Sequence, residues 1–123
     1  MKPLKFGEAV QVGNVSMTVT APVTIDGSHY YGARSWKVQL HAENSGSVDV
    51  QLPLVKIRCD DGKEGGSWVG SSLSEGQNVP AKSFLDGDLI LSTPVDNFGD
   101  PATLHDCQIP RLRVGDHLSD SLG

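Results

Sequence analysis

The densest chemistry in the chain is RCDDGKEGG, residues 58–66, where a thiol stands beside two carboxylates. Three chemistries fit those residue types. Cys59 could be a nucleophile, Asp60 and Asp61 could be ion ligands or an acid/base pair, or the stretch could be a turn whose cysteine is held in a disulfide. A reactive thiolate needs a nearby cation or a helix N-terminus to lower its pKa. Cys59 instead precedes Asp60 and Asp61, and Cys107 follows Asp106, so local charge favours the inert thiol. These are the only two cysteines, and no Cys-x-x-Cys is present, so a four-cysteine zinc site is excluded. A Cys59–Cys107 disulfide is the expectation, with two free thiols as the alternative. Such a bridge would stabilise the fold by about 4 kcal/mol in the chain-entropy model.

The remaining carboxylates and histidines complete no catalytic pattern. Asp60-Asp61-Gly62 lacks the alternating oxygen ligands of a calcium loop, and Asp86-Gly-Asp88 and Asp96-Asn-Phe-Gly-Asp100 are also incomplete. His29, His41, His105 and His117 are scattered, and none belongs to an H-E-x-x-H helix. His41 falls on the outward phase of its segment and reads as exposed, while His105 beside Asp106 is a weak candidate ligand or base. There is no G-x-S-x-G elbow and no Walker loop around the glycines of KEGGSWVG. No catalytic residue, cofactor or metal is therefore expected, and the chain is read as non-enzymatic. Tyr30, Tyr31 and Trp68 lie in loop-like segments, as does Phe98, and could form a platform for sugar rings. Trp36 fits the core phase instead.

These residues must be positioned by strands. VSMTVTA puts Val15, Met17, Val19 and Ala21 on one face, and SWKVQLHAEN puts Trp36, Val38, Leu40 and Ala42 on one face. VDVQLPLVKIRC changes phase at Pro53: Val48, Val50 and Leu52 precede it, and Val55, Ile57 and Cys59 follow. SFLDGDLILST reads as a strand or strand pair, and RLRV as the last strand. Asp26-Gly27, NSGS and DDGKEGGS are turn signals. No long window keeps a helical period. Short strands spaced by turns predict an all-β chain, a β-sandwich of two antiparallel sheets. One domain is expected over residues 1–123, with a flexible tail from about 118.

Charge narrows the partners. Acidic residues outnumber Lys+Arg by 15 to 10, and the formal charge is −5, with the basic residues dispersed. That disfavours nucleic acid and an anionic membrane surface. No apolar run approaches the roughly 20 residues of a membrane helix, so membrane insertion is not expected. MKPLKFGEAV carries no apolar leader core, so the chain is either cytoplasmic or a mature exported form.

The order of motifs resembles a bacterial, largely extracellular family with an immunoglobulin-like, telokin-like sandwich. FGEAVQVGNVSMTVT is similar to its first two strands. WKVQLHAENSGSVDVQLP is similar to its central strand, Asn-(Thr/Ser)-Gly turn and return. CDDGKEG, LSEGQNVPAKSFLDGDLILSTP and RLRV resemble its later elements, so the likeness spans about residues 6–115. Members are mostly secreted antigens or lipoproteins of Gram-positive bacteria, including actinobacteria, and have no assigned catalytic residues. The resemblance implies an exported domain with no known chemistry, and the leading expectation is an extracellular or cell-surface domain that meets a protein partner or acts as an antigen. The alternative is a small carbohydrate-binding module that meets a surface glycan through Tyr30, Tyr31 and Trp68.

Overall fold

The computed structural model of the chain describes residues 1–25, 34–66, 71–94 and 107–123. Their strands, in chain order, are β1 (Lys2–Pro3), β2 (Val10–Val12), β3 (Val15–Val19), β4 (Val23–Ile25), β5 (Ser35–Asn44) and β6 (Val50–Gln51), followed by β7 (Val55–Arg58), β8 (Glu64–Gly65), β9 (Asn78–Val79), β10 (Ser83–Ser92), β11 (Arg111–Val114) and β12 (His117–Ser121). One sheet runs β10-β5-β3-β2, with β4 added along the start of β5. The other runs β1-β12-β11-β7-β8, and β6 and β9 form a separate ribbon. The chain is an all-β sandwich.

Side-chain alternation is what makes two sheets out of these segments. A strand sends successive side chains to opposite faces, so a period of two gives each sheet one apolar face to hide. Val15, Met17 and Val19 of β3 are buried, as are Trp36, Val38, Leu40 and Ala42 of β5 and Leu89 and Leu91 of β10. They join Val55 and Ile57 of β7 and Leu112 and Val114 of β11 in one core cluster. Each such side chain contributes roughly 1.5–3 kcal/mol by leaving water. Tight hairpins fix the register: Val12 pairs with Val15 and Val114 with His117, each across two residues. Gly13 and Gly115 begin these turns at φ 60° and 56°, the positive values that such turns demand at their first position.

The sandwich of antiparallel sheets stands with one exception at an edge, and two other expectations need correction. The sheets are not purely antiparallel, because β1 pairs with β12 in parallel at one edge. The tail from about 118 is not loose: Leu118–Ser121 belongs to β12, and the Leu122 N–H donates to the Pro110 carbonyl at 2.8 Å. Of the two forms expected for SFLDGDLILST, a strand or a strand pair, the structure has the first, one continuous strand of ten residues. VDVQL yields only the two-residue β6, and Val48 is exposed because Asn44 draws its carbonyl into a turn. Asp26-Gly27, the aromatic platform of Tyr30, Tyr31 and Trp68, and His29, Asp96, Phe98, Asp100, His105 and Asp106 lie outside the described residues.

Candidate functional site

Among the described residues, the first sheet hides one face and leaves the other open. Along β5 the outward positions are Lys37, Gln39, His41 and Glu43. Antiparallel pairing sets Asp86 of β10 opposite His41, Asp88 opposite Gln39 and Phe84 opposite Glu43. On the other side of β5, Thr18 of β3 also lies opposite His41. Directly opposed side chains on one face stand within about 5.5 Å, so this register alone gathers the polar groups.

His41 is the centre of the group. Its Nδ1 lies 2.5 Å from Asp86 Oδ1, and its Nε2 lies 3.1 Å from Glu43 Oε1. Ionised carboxylates only accept, so satisfying both contacts requires a proton on each ring nitrogen, the imidazolium form. The hydrogen bond to Asp86, then the one to Glu43, hold the His41 pKa above its ordinary value, against a smaller opposing effect of burial. The Phe84 ring packs beside the imidazole, with centroids 5.4 Å apart and planes tilted by 34°. Phe84 is nonetheless 55% exposed, an unusual state for a large apolar ring. Lys37 and Asp88 form an exposed pair at 3.6 Å, a contact of little energetic weight.

Beside this cluster an open groove of about 450 Å³ is lined by Thr18, Thr20, Gln39, His41, Asp86 and Asp88. Its wall at Thr20 is held by a reciprocal clasp. The Thr20 N–H donates to the Gln39 carbonyl and the Gln39 N–H donates to Thr20 Oγ1, both at 3.0 Å. The β10 edge beside the groove is filled rather than open. Ser72 N–H donates to the Asp88 carbonyl at 3.0 Å, the Asp88 N–H returns to Ser72 Oγ at 2.7 Å, and the Ile90 N–H donates to Ser71 Oγ at 2.8 Å.

The RCDDGKEGG stretch takes a different role. Cys59 and Cys107 are joined in a disulfide, with Cα atoms 5.2 Å apart, and both are buried. Asp61 Oδ1 accepts the Lys63 N–H at 3.0 Å and Asp60 Oδ1 accepts the Ile109 N–H at 3.4 Å, so these carboxylates serve the turn and its neighbour across the disulfide. Arg34 braces the same corner. It donates from Nη2 to the Cys107 carbonyl at 2.6 Å and from Nη1 to the Gly123 carbonyl at 3.1 Å, with its guanidinium 5.6 Å over the Trp36 ring. On the second sheet Arg113 grips Glu64 through Nε and Nη2, the latter at 2.9 Å, with Arg58 nearby at 3.6 Å. This is a cross-strand brace. Among the described residues, no group of three or more His, Cys, Asp or Glu side chains is placed to hold a metal ion. No helix among them is long and apolar enough to cross a membrane.

The class defined by these features is an all-β sandwich with an open polar sheet face and a disulfide-braced corner. Two solved structures are similar to it. A conserved hypothetical protein from Bacillus anthracis aligns with TM-score 0.58 at 11% identity, over 94% of this chain and 92% of that one. An uncharacterized β-sandwich protein from Clostridium difficile 630 aligns with TM-score 0.55 at 10% identity, over 96% and 91%. At such identity the likeness speaks for the fold alone. No family model and no curated protein matches the chain.

Proposed function

We propose that this chain is a non-enzymatic, exported sandwich domain of the immunoglobulin-like, telokin-like kind. It acts at or outside the cell surface by binding a partner on the outer face of the β10-β5-β3 sheet. The observation that carries this reading is His41, held between Asp86 and Glu43 at the rim of the groove. A general base needs a free ring nitrogen within reach of the proton it takes. Both nitrogens of His41 face carboxylates, so the cluster fixes shape and charge on an exposed face rather than moving protons. Export draws its support from the Cys59–Cys107 bridge, since disulfides persist in oxidising compartments and are rare in the cytosol. The likeness to secreted antigens and lipoproteins points the same way.

A second reading is a carbohydrate-binding module. It is favoured by the exposed Phe84 ring, which the register of β10 against β5 puts on the same face as Asp86 and Asp88 of the groove. Both readings share one test of the face. Immobilised chain is exposed to separated polysaccharide and protein fractions of the source envelope, alongside an Asp86→Arg variant with an unchanged melting temperature. Saturable retention that the variant loses supports the face, and equal retention by the variant rejects it. Recovery of the chain in the cytoplasm with reduced thiols rejects export.

A further inference from the structure

We infer that the groove on the outer face of the β10-β5-β3 sheet binds a neutral glycan chain; this rests on the reading of that face as the recognition surface. The hydrogen-bonding inventory fits vicinal hydroxyls. Each sugar hydroxyl both donates and accepts, and the groove offers acceptor-only carboxylates in Asp86 and Asp88, an amide in Gln39 that does both, and hydroxyls in Thr18 and Thr20. The apolar face of a sugar ring needs a flat apolar surface. Phe84 supplies one on the same face, in the adjoining hollow beyond His41 that Glu43 and Lys82 also line; it is more than half exposed, and His41 backs it so that its orientation is held. The volume of about 450 Å³ lies within the roughly 300–1,000 Å³ usual for small-ligand sites.

Charge and backbone decide against the other ligand classes. Among the groove's own lining residues Asp86 and Asp88 outnumber His41, and Lys37 beside them is already paired with Asp88. Lys37 and His41 are both held by carboxylates, so a sulfate or phosphate group would have to displace Asp88, Asp86 or Glu43 to reach them. An extended peptide binds a sheet by adding a strand to an open edge, where main-chain hydrogen bonds give the affinity. That route is interrupted at Asp88 and Ile90, whose edge N–H groups are already held by Ser72 and Ser71. A ligand here must be read by side chains, as sugars are.

The test is an amide NMR titration of the full chain with linear hexasaccharides of glucose, N-acetylglucosamine, mannose and xylose. A sulfated hexasaccharide and oligolysine are run in parallel. At least one neutral hexasaccharide is expected to give saturable shifts at Thr18, Gln39, His41 and Asp86. Phe84→Ala and Gln39→Ala should each weaken that binding by about tenfold, a readily resolved change in Kd, while the exposed Lys5→Ala should not. Silence from every neutral sugar up to roughly 10 mM, beyond millimolar dissociation constants, overturns the inference. Shifts of the same amides by oligolysine alone overturn the glycan but leave the face standing. Sugar-induced shifts confined to other surfaces overturn both.

Discussion

Asn44, the last residue of β5, donates from Nδ2 to the carbonyl of Val79 in β9 at 3.0 Å. The same nitrogen donates to the Val48 carbonyl at 2.8 Å, and Oδ1 accepts the Gly46 N–H at 3.0 Å. One buried side chain thus ties the long central strand both to the turn after it and to the β6-β9 ribbon. Asn44→Ala leaves these backbone groups unpaired, and an unpaired buried group costs about 1–3 kcal/mol. A loss of about 3 kcal/mol is expected, read as a lower urea midpoint with unchanged slope. Asn44→Asp should be at least as damaging, because a carboxylate cannot donate to two carbonyls.

The disulfide gives a second outcome. Cys59 and Cys107 are 48 residues apart in sequence, and the loop they close is long enough that its loss costs about 4 kcal/mol. The Cys59→Ser/Cys107→Ser double variant should lose about that much in denaturant titration. Intact mass should rise by two hydrogens on reduction. Two alkylatable thiols in the unreduced, denatured chain would contradict the bridge.

His41 predicts a pH dependence. The folded state holds the His41 proton more tightly than the unfolded chain does, so the raised pKa contributes stability wherever that proton is bound. The contribution is complete below the ordinary histidine pKa and is lost as pH rises through the higher folded-state value. It is small, because the cluster is well exposed and screened by solvent. An NMR titration of the ring should place the His41 midpoint above that of an unpaired histidine. Asp86→Asn should lower it more than Glu43→Gln, since Asp86 is the larger cause. A midpoint at or below the ordinary value would remove the clasp.

Much of this architecture was legible in the sequence, and the exceptions have physical causes. VSMTVT and SWKVQLHAEN announced themselves because one face of each strand is apolar and the other polar. Cys59 was legible as an inward position because it continues the phase of Val55 and Ile57. β12 was not, because its inward residues are His117 and Ser119, which a hydrophobic pattern counts as outward. Ser119 tolerates burial by accepting the Leu112 N–H at 2.9 Å and donating to the Asp120 carbonyl at 2.7 Å. The His41–Asp86 contact was hidden for another reason. In sequence His41 looks like an exposed histidine and Asp86 like part of an incomplete loop, and only the β5–β10 register brings them together across 45 residues. The Glu64–Arg113 brace, across 49 residues, is the same kind of long-range product. The outward phase of His41 and Arg113 is visible in sequence, but their partners Asp86 and Glu64 are not.

Gly87 supplies the last outcome, because it couples the core to the edge that borders the groove. It sits mid-strand in β10, opposite Leu40, at a position where the neighbouring inward residues are Leu85 and Leu89. A glycine inside a strand often marks the close approach of another group. Here that group is the Leu73 side chain, buried in the core where a Gly87 Cβ would stand. A Cβ at Gly87 would lie 2.5 Å from Leu73 Cγ and 2.7 Å from Ser72 Oγ, well inside contact distance. Gly87→Ala must therefore displace Leu73, and Ser72 with it. Overpacking of this kind costs about 1–3 kcal/mol. It should also release the Ser72 contacts to Asp88, so amide exchange at Asp88 should quicken more than at Lys37 or Gln39, deeper in the sheet. Pairing Gly87→Ala with Leu73→Ala separates the two effects. The smaller side chain makes room for the new methyl group, so the double variant should lose less stability than the two single losses added together, with Asp88 protection partly restored. Strict additivity, with Asp88 exchange as fast as in Gly87→Ala alone, would show that Leu73 does not hold the edge in place.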